Sequence, residues 1–252
     1  MKLQMLINVD LKSVTLGKKE ILSDISFIPH ENSFTAILGK NGSGKSTLIS
    51  TIAGLISYEG SISLLGRELS DIKKRELSRL VSFIPQNTPR PHIRVKELVS
   101  YGRAPYKSLK EKDACDSLDP VAKALEDAEL REISESFLDS VSGGEQRRAY
   151  FAMMLAQNTD IALLDEATAF MDADYENKFL AMAKSLASEK IVIAVTHNLD
   201  AAVRFADHVL LLDNGEQAFF GSTEELLSNN LIESAFSLKR YVSGGRIFFS
   251  AE

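Results

Sequence analysis

Gly39-Lys40-Asn41-Gly42-Ser43-Gly44-Lys45-Ser46-Thr47 has the residue types and spacing of a loop that cradles phosphate. Backbone N–H groups must wrap the anion, so bulky side chains cannot intrude. Gly39, Gly42 and Gly44 leave that room and accept unusual dihedrals. Lys45 adds a full positive charge, and the Ser46 hydroxyl is placed to hold Mg²⁺ beside a polyphosphate. A second pair of chemical residues is Asp165-Glu166, which closes the apolar run Ile161-Ala162-Leu163-Leu164. Two carboxylates buried there without a counter-charge cost several kcal/mol, and a bound Mg²⁺ removes that cost. Asp165 then fits a metal partner, and Glu166 fits a base or orienter for an attacking water.

His197 follows the apolar run Ile191-Val192-Ile193-Ala194-Val195-Thr196, where it can reach a terminal phosphate as a donor. Gln86 ends the run Val81-Ser82-Phe83-Ile84-Pro85, and its amide can meet Mg²⁺ or the lytic water. Ser142-Gly143-Gly144 at a helix start forms a second anion-binding device. One polyphosphate needs only one such loop. A symmetric dimer answers this, the loop of one chain and the Ser-Gly-Gly turn of the other closing on the same phosphate. The remaining histidines, His30, His92 and His208, show no ligand spacing, and no metal is assigned to them.

The elements that must position these groups alternate in type. Residues 33–38 read as a buried strand and 48–55 as the helix behind the phosphate loop. Two extended runs, 6–16 and 20–28, precede them and predict a small antiparallel sheet beside the nucleotide. Residues 60–65 predict a further strand, and Asp71 a cap for a helix through Lys73, Arg75 and Leu77. From Val95 to about Val141 the pattern turns helical and charged, with a capping box from Ser108 to Glu111 and a helix start at Asp119-Pro120. Residues 141–148 are expected to open a helix that runs to Gln157, and further helices are expected over 172–187, 198–206 and 222–236. A hairpin is expected around Asp213-Asn214-Gly215, and a last strand over 246–249. Strands alternating with helices predict an α/β fold with a mostly parallel core sheet and ligands at its carboxyl end. One domain over 1–252 is expected, with a helical subdomain over about 87–157.

Composition narrows the class. The chain has 252 residues, of which 44% are hydrophobic and 25% charged, ordinary for a globular protein. A net charge of −6 argues against a nucleic-acid surface. The single cysteine, Cys115, excludes an internal disulfide framework and suits a reducing compartment. No apolar run reaches the length of a transmembrane helix, and the N-terminus reads as the start of a strand rather than a signal peptide.

The phosphate loop, Gln86, Val141-Ser142-Gly143-Gly144-Glu145-Gln146, Leu163-Leu164-Asp165-Glu166, Asp172 and Val195-Thr196-His197 occur in the order and spacing of an ABC-type ATPase. The sequence resembles the ATP-binding subunit of an ABC transporter over nearly its full length. The resemblance implies two copies sandwiching two ATP molecules with Mg²⁺, docked beneath a membrane permease at the cytoplasmic face and served by a substrate-binding protein. It assigns nucleotide contacts to residues 39–47 and, across the dimer, to Ser142, Gly143, Gly144 and Glu145. It assigns Mg²⁺ to Ser46, Gln86 and Asp165. Catalysis falls to Lys45, Gln86, Glu166 and His197.

A narrower likeness is to the ATPases of iron-siderophore, haem and cobalamin importers. Val95-Lys96-Glu97-Leu98-Val99, Gly102-Arg103-Ala104-Pro105-Tyr106 and Met153-Met154-Leu155-Ala156-Gln157 carry it. Some positions depart from the family pattern. Leu16 stands where an aromatic ring usually stacks on adenine, Val141 stands for Leu, Ala167 for Pro, and Ala169-Phe170-Met171 for Ser-Ala-Leu. No catalytic group is removed. A soluble ABC-type ATPase acting on ribosomes or DNA would show tandem cassettes, a coiled coil or a basic patch, and the chain has none of these. A P-loop kinase or GTPase would not need the Ser-Gly-Gly turn, and a GTPase would carry a guanine-reading N-K-x-D, which is likewise absent.

Overall fold

The computed structural model describes residues 6–106, 119–168, 171 and 173–251. Two antiparallel strands come first, β1 (Ile7–Leu16) and β2 (Lys19–Phe27), followed by β3 (Phe34–Gly39) and α1 (Lys45–Ile52). Next come β4 (Glu59–Leu64), β5 (Arg67–Glu68), α2 (Lys74–Leu80) and β6 (Val81–Ile84). The helices α3 (Val95–Tyr101), α4 (Pro120–Asp127) and α5 (Gly143–Gln157) then precede β7 (Ile161–Asp165), α6 (Ala173–Leu186), β8 (Ile191–Val195) and α7 (Leu199–Phe205). The chain continues through β9 (His208–Asp213), β10 (Glu216–Ser222), α8 (Thr223–Ser228), α9 (Leu231–Phe236), β11 (Lys239–Ser243) and β12 (Arg246–Ser250).

Six strands form the central sheet in the order β10-β9-β3-β8-β7-β6, parallel except for the β10 edge. Its strands are apolar almost without interruption because both faces are covered. Side chains alternate between two cores. Ile161 and Leu163 of β7, with Ile191, Ile193 and Val195 of β8, pack towards α1 and the antiparallel sheet. Ala162, Leu164, Val192 and Ala194 face the opposite way, onto α5 and α6. The antiparallel sheet has the order β2-β1-β4-β5 and sends Val9, Leu11 and Ile25 into the same core as Leu48, Ile49 and Ile52 of α1. This packing fixes the helix behind the phosphate loop.

Several local expectations change. α1 opens at Lys45 and ends at Ile52, because Gly54 (φ 73) turns the chain out of the helix. Asp71 does not cap α2. It closes a one-turn 3-10 segment over Leu69–Asp71, the chain then runs extended through Ile72, and Lys73 precedes the helix without a side-chain cap. Residues 129–142 are turns, not helix. Glu129 takes φ 54, and the hydroxyls of Ser134 and Ser140 bond the carbonyls of Arg131 and Phe137, competing with a helical ladder. The expected helix over 222–236 is split where Asn230 adopts φ 51. The 108–111 capping box and Cys115 lie outside the described residues, as do Ala169, Phe170 and Asp172.

Gly102 sets how closely α3 approaches α5. A Cβ there would sit 2.2 Å from the Met153 carbonyl oxygen and 3.0 Å from the Gln157 nitrogen. Backbone cannot yield as a flexible side chain does. Gly102→Ala is expected to cost about 2–3 kcal/mol of stability, read as a lowered denaturation midpoint with unchanged m-value.

Candidate functional site

β3 delivers the chain to the phosphate loop at the carboxyl edge of the central sheet. Gly39 turns there with no space for a side chain, since a Cβ would lie 2.4 Å from Ser43 Oγ and 2.5 Å from the Leu212 carbonyl oxygen. Gly44 precedes α1 in the left-handed region (φ 95), and a Cβ would strike Leu22 at 2.4 Å. The loop therefore closes tightly and leaves the N-terminus of α1 facing a cavity of about 390 Å³. Asn41, Gly42, Gly44, Lys45, Ser46 and Thr47 line one wall, and Gln86, Glu166 and His197 line the other.

Lys45 is only 5% exposed and donates from Nζ to the carbonyls of Gly39 (2.8 Å) and Lys40 (3.0 Å). Burial lowers its pKa, opposed by the carboxylates of Glu166 and Asp165. Ser46 Oγ donates to Asp165 Oδ1 at 2.9 Å. Burial raises the pKa of Asp165, and the hydrogen bond from Ser46 and the charge of Lys45 oppose that rise. Among the described residues, the buried Ser43 Oγ has no hydrogen-bond partner.

Glu166 follows β7 with φ 46, a conformation few non-glycine residues adopt, and this turn lifts its carboxylate into the cavity. Both of its oxygens are engaged. Gln86 Nε2 donates to Oε2 at 2.6 Å, and His197 Nε2 is hydrogen-bonded to Oε1 at 2.5 Å. Glu176 supports the wall from behind by accepting from Thr168 Oγ1 (3.1 Å) and Asn198 Nδ2 (3.0 Å).

These residues fit a magnesium–polyphosphate group. The helix start and Lys45 supply positive potential, and the Ser46 hydroxyl and Asp165 carboxylate are hard oxygen donors of the kind Mg²⁺ takes. Burial raises the pKa of the Asp165 carboxylate, and a bound cation would offset that cost.

Ser142, Gly143, Gly144 and Glu145 lie elsewhere in the single chain. They line a second cavity of about 290 Å³ with Arg148, Met171 and Tyr175. Ser142 caps α5, and Glu145 folds back to accept from the Ser142 N (2.8 Å) and Oγ (2.7 Å), which holds its pKa down. Leu16, at the end of β1, is half-exposed and lines neither cavity. The other three histidines are occupied apart from this site. His30 stacks on His208, and His92 stacks on Phe137 and bonds Asp139.

Sequence reasoning gave Gln146 no role beyond its place in the motif and did not single out Arg147 or Tyr150, yet all three reach from α5 to the segment bearing Gln86. A cation and an amide next to a glycine-rich helix start carry no local sign of burial. Only the fold shows that they are buried.

Comparison with known proteins defines the class. Residues 22–169 match the ABC transporter family model, and the chain belongs to that family. ATP-binding subunits of this family hydrolyse ATP to power transport. The chain is 33% identical over 227 residues to the ferric enterobactin transport ATP-binding protein FepC of Escherichia coli strain K12, covering 88% of this chain and 84% of that protein. It is 36% identical over 233 residues to the hemin import ATP-binding protein HmuV of Chelativorans sp. strain BNC1, covering 89% and 88%. The petrobactin import ATP-binding protein YclP of Bacillus subtilis strain 168 is 31% identical over 238 residues, covering 91% and 93%. A nucleotide-free ATP-binding cassette from an ABC transporter shares the fold, with TM-score 0.78 at 22% identity over 90% of this chain and 95% of that one. Among the described residues, no helix is long and apolar enough to cross a membrane.

Proposed function

We propose that this chain is the ATP-hydrolysing subunit of an importer for iron chelates, of the siderophore or haem type. It works as a pair at the cytoplasmic face of the membrane, beneath separate permease subunits fed by a substrate-binding protein. The observation that carries the hydrolytic part is Glu166, fixed by Gln86 and His197 directly across the cavity from Lys45 and Ser46. Lys45 and the amides of residues 39–47 hold the phosphates. Ser46, Asp165 and Gln86 serve Mg²⁺, which supplies charge neutralisation of the phosphates when bound. Glu166 orients and polarises water, and His197 keeps Glu166 in place and donates towards the terminal phosphate. Ser142, Gly143, Gly144 and Glu145 line a separate cavity and not the first. They act on the nucleotide of the second copy. Leu16 flanks the base without aromatic stacking.

The cargo reading is supported by the relatives, which serve enterobactin, petrobactin and hemin transport. The test is to purify the tagged chain with whatever membrane protein accompanies it, reconstitute the complex in liposomes and measure magnesium-dependent ATP cleavage. A ferric chelate presented with its binding protein is expected to raise turnover. Absence of cleavage by the complex with magnesium and ATP would end the hydrolytic reading. Stimulation by an unrelated solute alone would end the iron-chelate reading.

A further inference from the structure

The segment after β6 has an unusual hydrogen-bond problem. It contains Pro85, Pro89 and Pro91, which have no N–H to donate, and its carbonyls lie beyond the end of the sheet ladder. Three side chains of α5 meet those carbonyls. Gln146 Nε2 donates to Thr88 O (3.2 Å) and Pro89 O (3.0 Å), and Tyr150 Oη donates to Pro89 O (2.8 Å). Arg147 donates to Pro85 O (3.3 Å) and, through its other terminal nitrogen, to Gln86 O.

Arg147 is the costly member of this set. It is 7% exposed, and no ion pair among the described residues neutralises it. Burial lowers its pKa, and the charges of Asp165 and Glu166 only partly oppose that cost. The planar fork suits two adjacent carbonyls, which a lysine ammonium cannot bond in the same geometry. The helix it sits on begins with Ser142, Gly143 and Gly144, and the carbonyl it grips belongs to the residue whose amide holds Glu166.

We propose that Arg147 is a positioning residue that locks the backbone at Pro85 and Gln86 to α5, so that any shift of the Ser142-Gly143-Gly144 turn carries the Gln86 amide with it, onto or off Glu166. The proposal rests on the hydrolytic reading above. It makes the geometry of the water-polarising carboxylate in one copy sensitive to whether its own glycine turn has engaged the nucleotide of the other.

The test is single-turnover and steady-state ATP cleavage by wild type, Arg147→Gln, Gln86→Ala and the double variant. Gln86→Ala removes the amide but leaves the carbonyl that Arg147 grips. Arg147→Gln is expected to lower kcat about tenfold, with KM for ATP changed less than about threefold. In the Gln86→Ala background the same substitution is expected to change kcat less than about twofold, since its effect runs through the missing amide. Arg147→Lys is expected to recover part of the loss. An unchanged kcat in Arg147→Gln, or the full tenfold loss repeated in the Gln86→Ala background, would overturn the proposal. If Arg147→Gln fails to fold, Arg147→Lys decides by the same comparison: a loss confined to the background that retains Gln86 supports the proposal, and equal rates or equal losses overturn it. Wild-type protein that cleaves no ATP overturns the hydrolytic reading instead, so the two failures are told apart.

Discussion

Glu166→Gln is expected to bind ATP normally, to accumulate as a dimer with ATP and magnesium, and to turn over at less than about one hundredth of the wild-type rate. The substitution keeps the side chain's size but removes the charge that polarises water. It also places an amide opposite two donors, Gln86 Nε2 and His197 Nε2, which the carboxylate now accepts from. One of the two contacts must reverse its direction, by a flip of the Gln86 amide or a change of the His197 tautomer, because an amide offers one acceptor oxygen and one donor nitrogen. Lys45, Ser46 and the α1 N-terminus are untouched, so nucleotide affinity should stay within a few-fold. The measurements are ATP cleavage and size-exclusion elution at saturating ATP. Cleavage at the wild-type rate would move the base elsewhere. An active wild type whose Glu166→Gln variant stays monomeric would remove the two-copy sandwich.

The elements bearing this chemistry were legible because their signals are local. β3, β7 and β8 are apolar at every position or nearly so, and strands of that kind lie inside covered parallel sheets. Asn214 (φ 48) and Gly215 (φ 89) form the turn that their residue types predict, and Ser142, Asp119 and Ser222 cap the helices they precede. Local signals failed where tertiary packing decides. Asp71 is a good capping residue placed too early, and the chain needs Ile72 extended and buried before α2 can start. The serine-rich stretch after α4 has helical charge patterning, yet its hydroxyls serve nearby carbonyls instead.

The site divides along the same line. Spacing pointed to the loop, the two carboxylates and His197, each after an apolar strand, and the fold brings Lys45, Ser46, Glu166 and His197 to one cavity. Spacing could not show that Gln86 and His197 bond the two oxygens of one carboxylate, a contact between residues 80 and 31 positions away from Glu166. Nor could it show that Arg147 is buried. A cation in an interior is recognised from its partners, and those partners are carbonyls of a loop whose path the sequence leaves open.

Lys45→Ala is expected to weaken ATP binding by at least about a hundredfold and to abolish measurable turnover at millimolar nucleotide. Two losses combine. The ammonium that would meet the phosphates is gone, and it is also the cation that offsets Asp165 and Glu166 in the same small volume. An incoming polyphosphate would then face both carboxylates with less positive charge between them. The carbonyls of Gly39 and Lys40 also lose their donor, so the loop that must wrap the anion is less firmly held before it arrives. Lys45→Arg should not restore binding. The position is buried beneath Gly39 and Lys40, and a guanidinium is too wide to sit where a single nitrogen now bonds both carbonyls. Equilibrium binding of a fluorescent ATP analogue distinguishes this from the Glu166→Gln phenotype, which retains nucleotide. Wild-type affinity in Lys45→Ala would mean that the loop amides and the helix N-terminus hold the phosphates without the lysine.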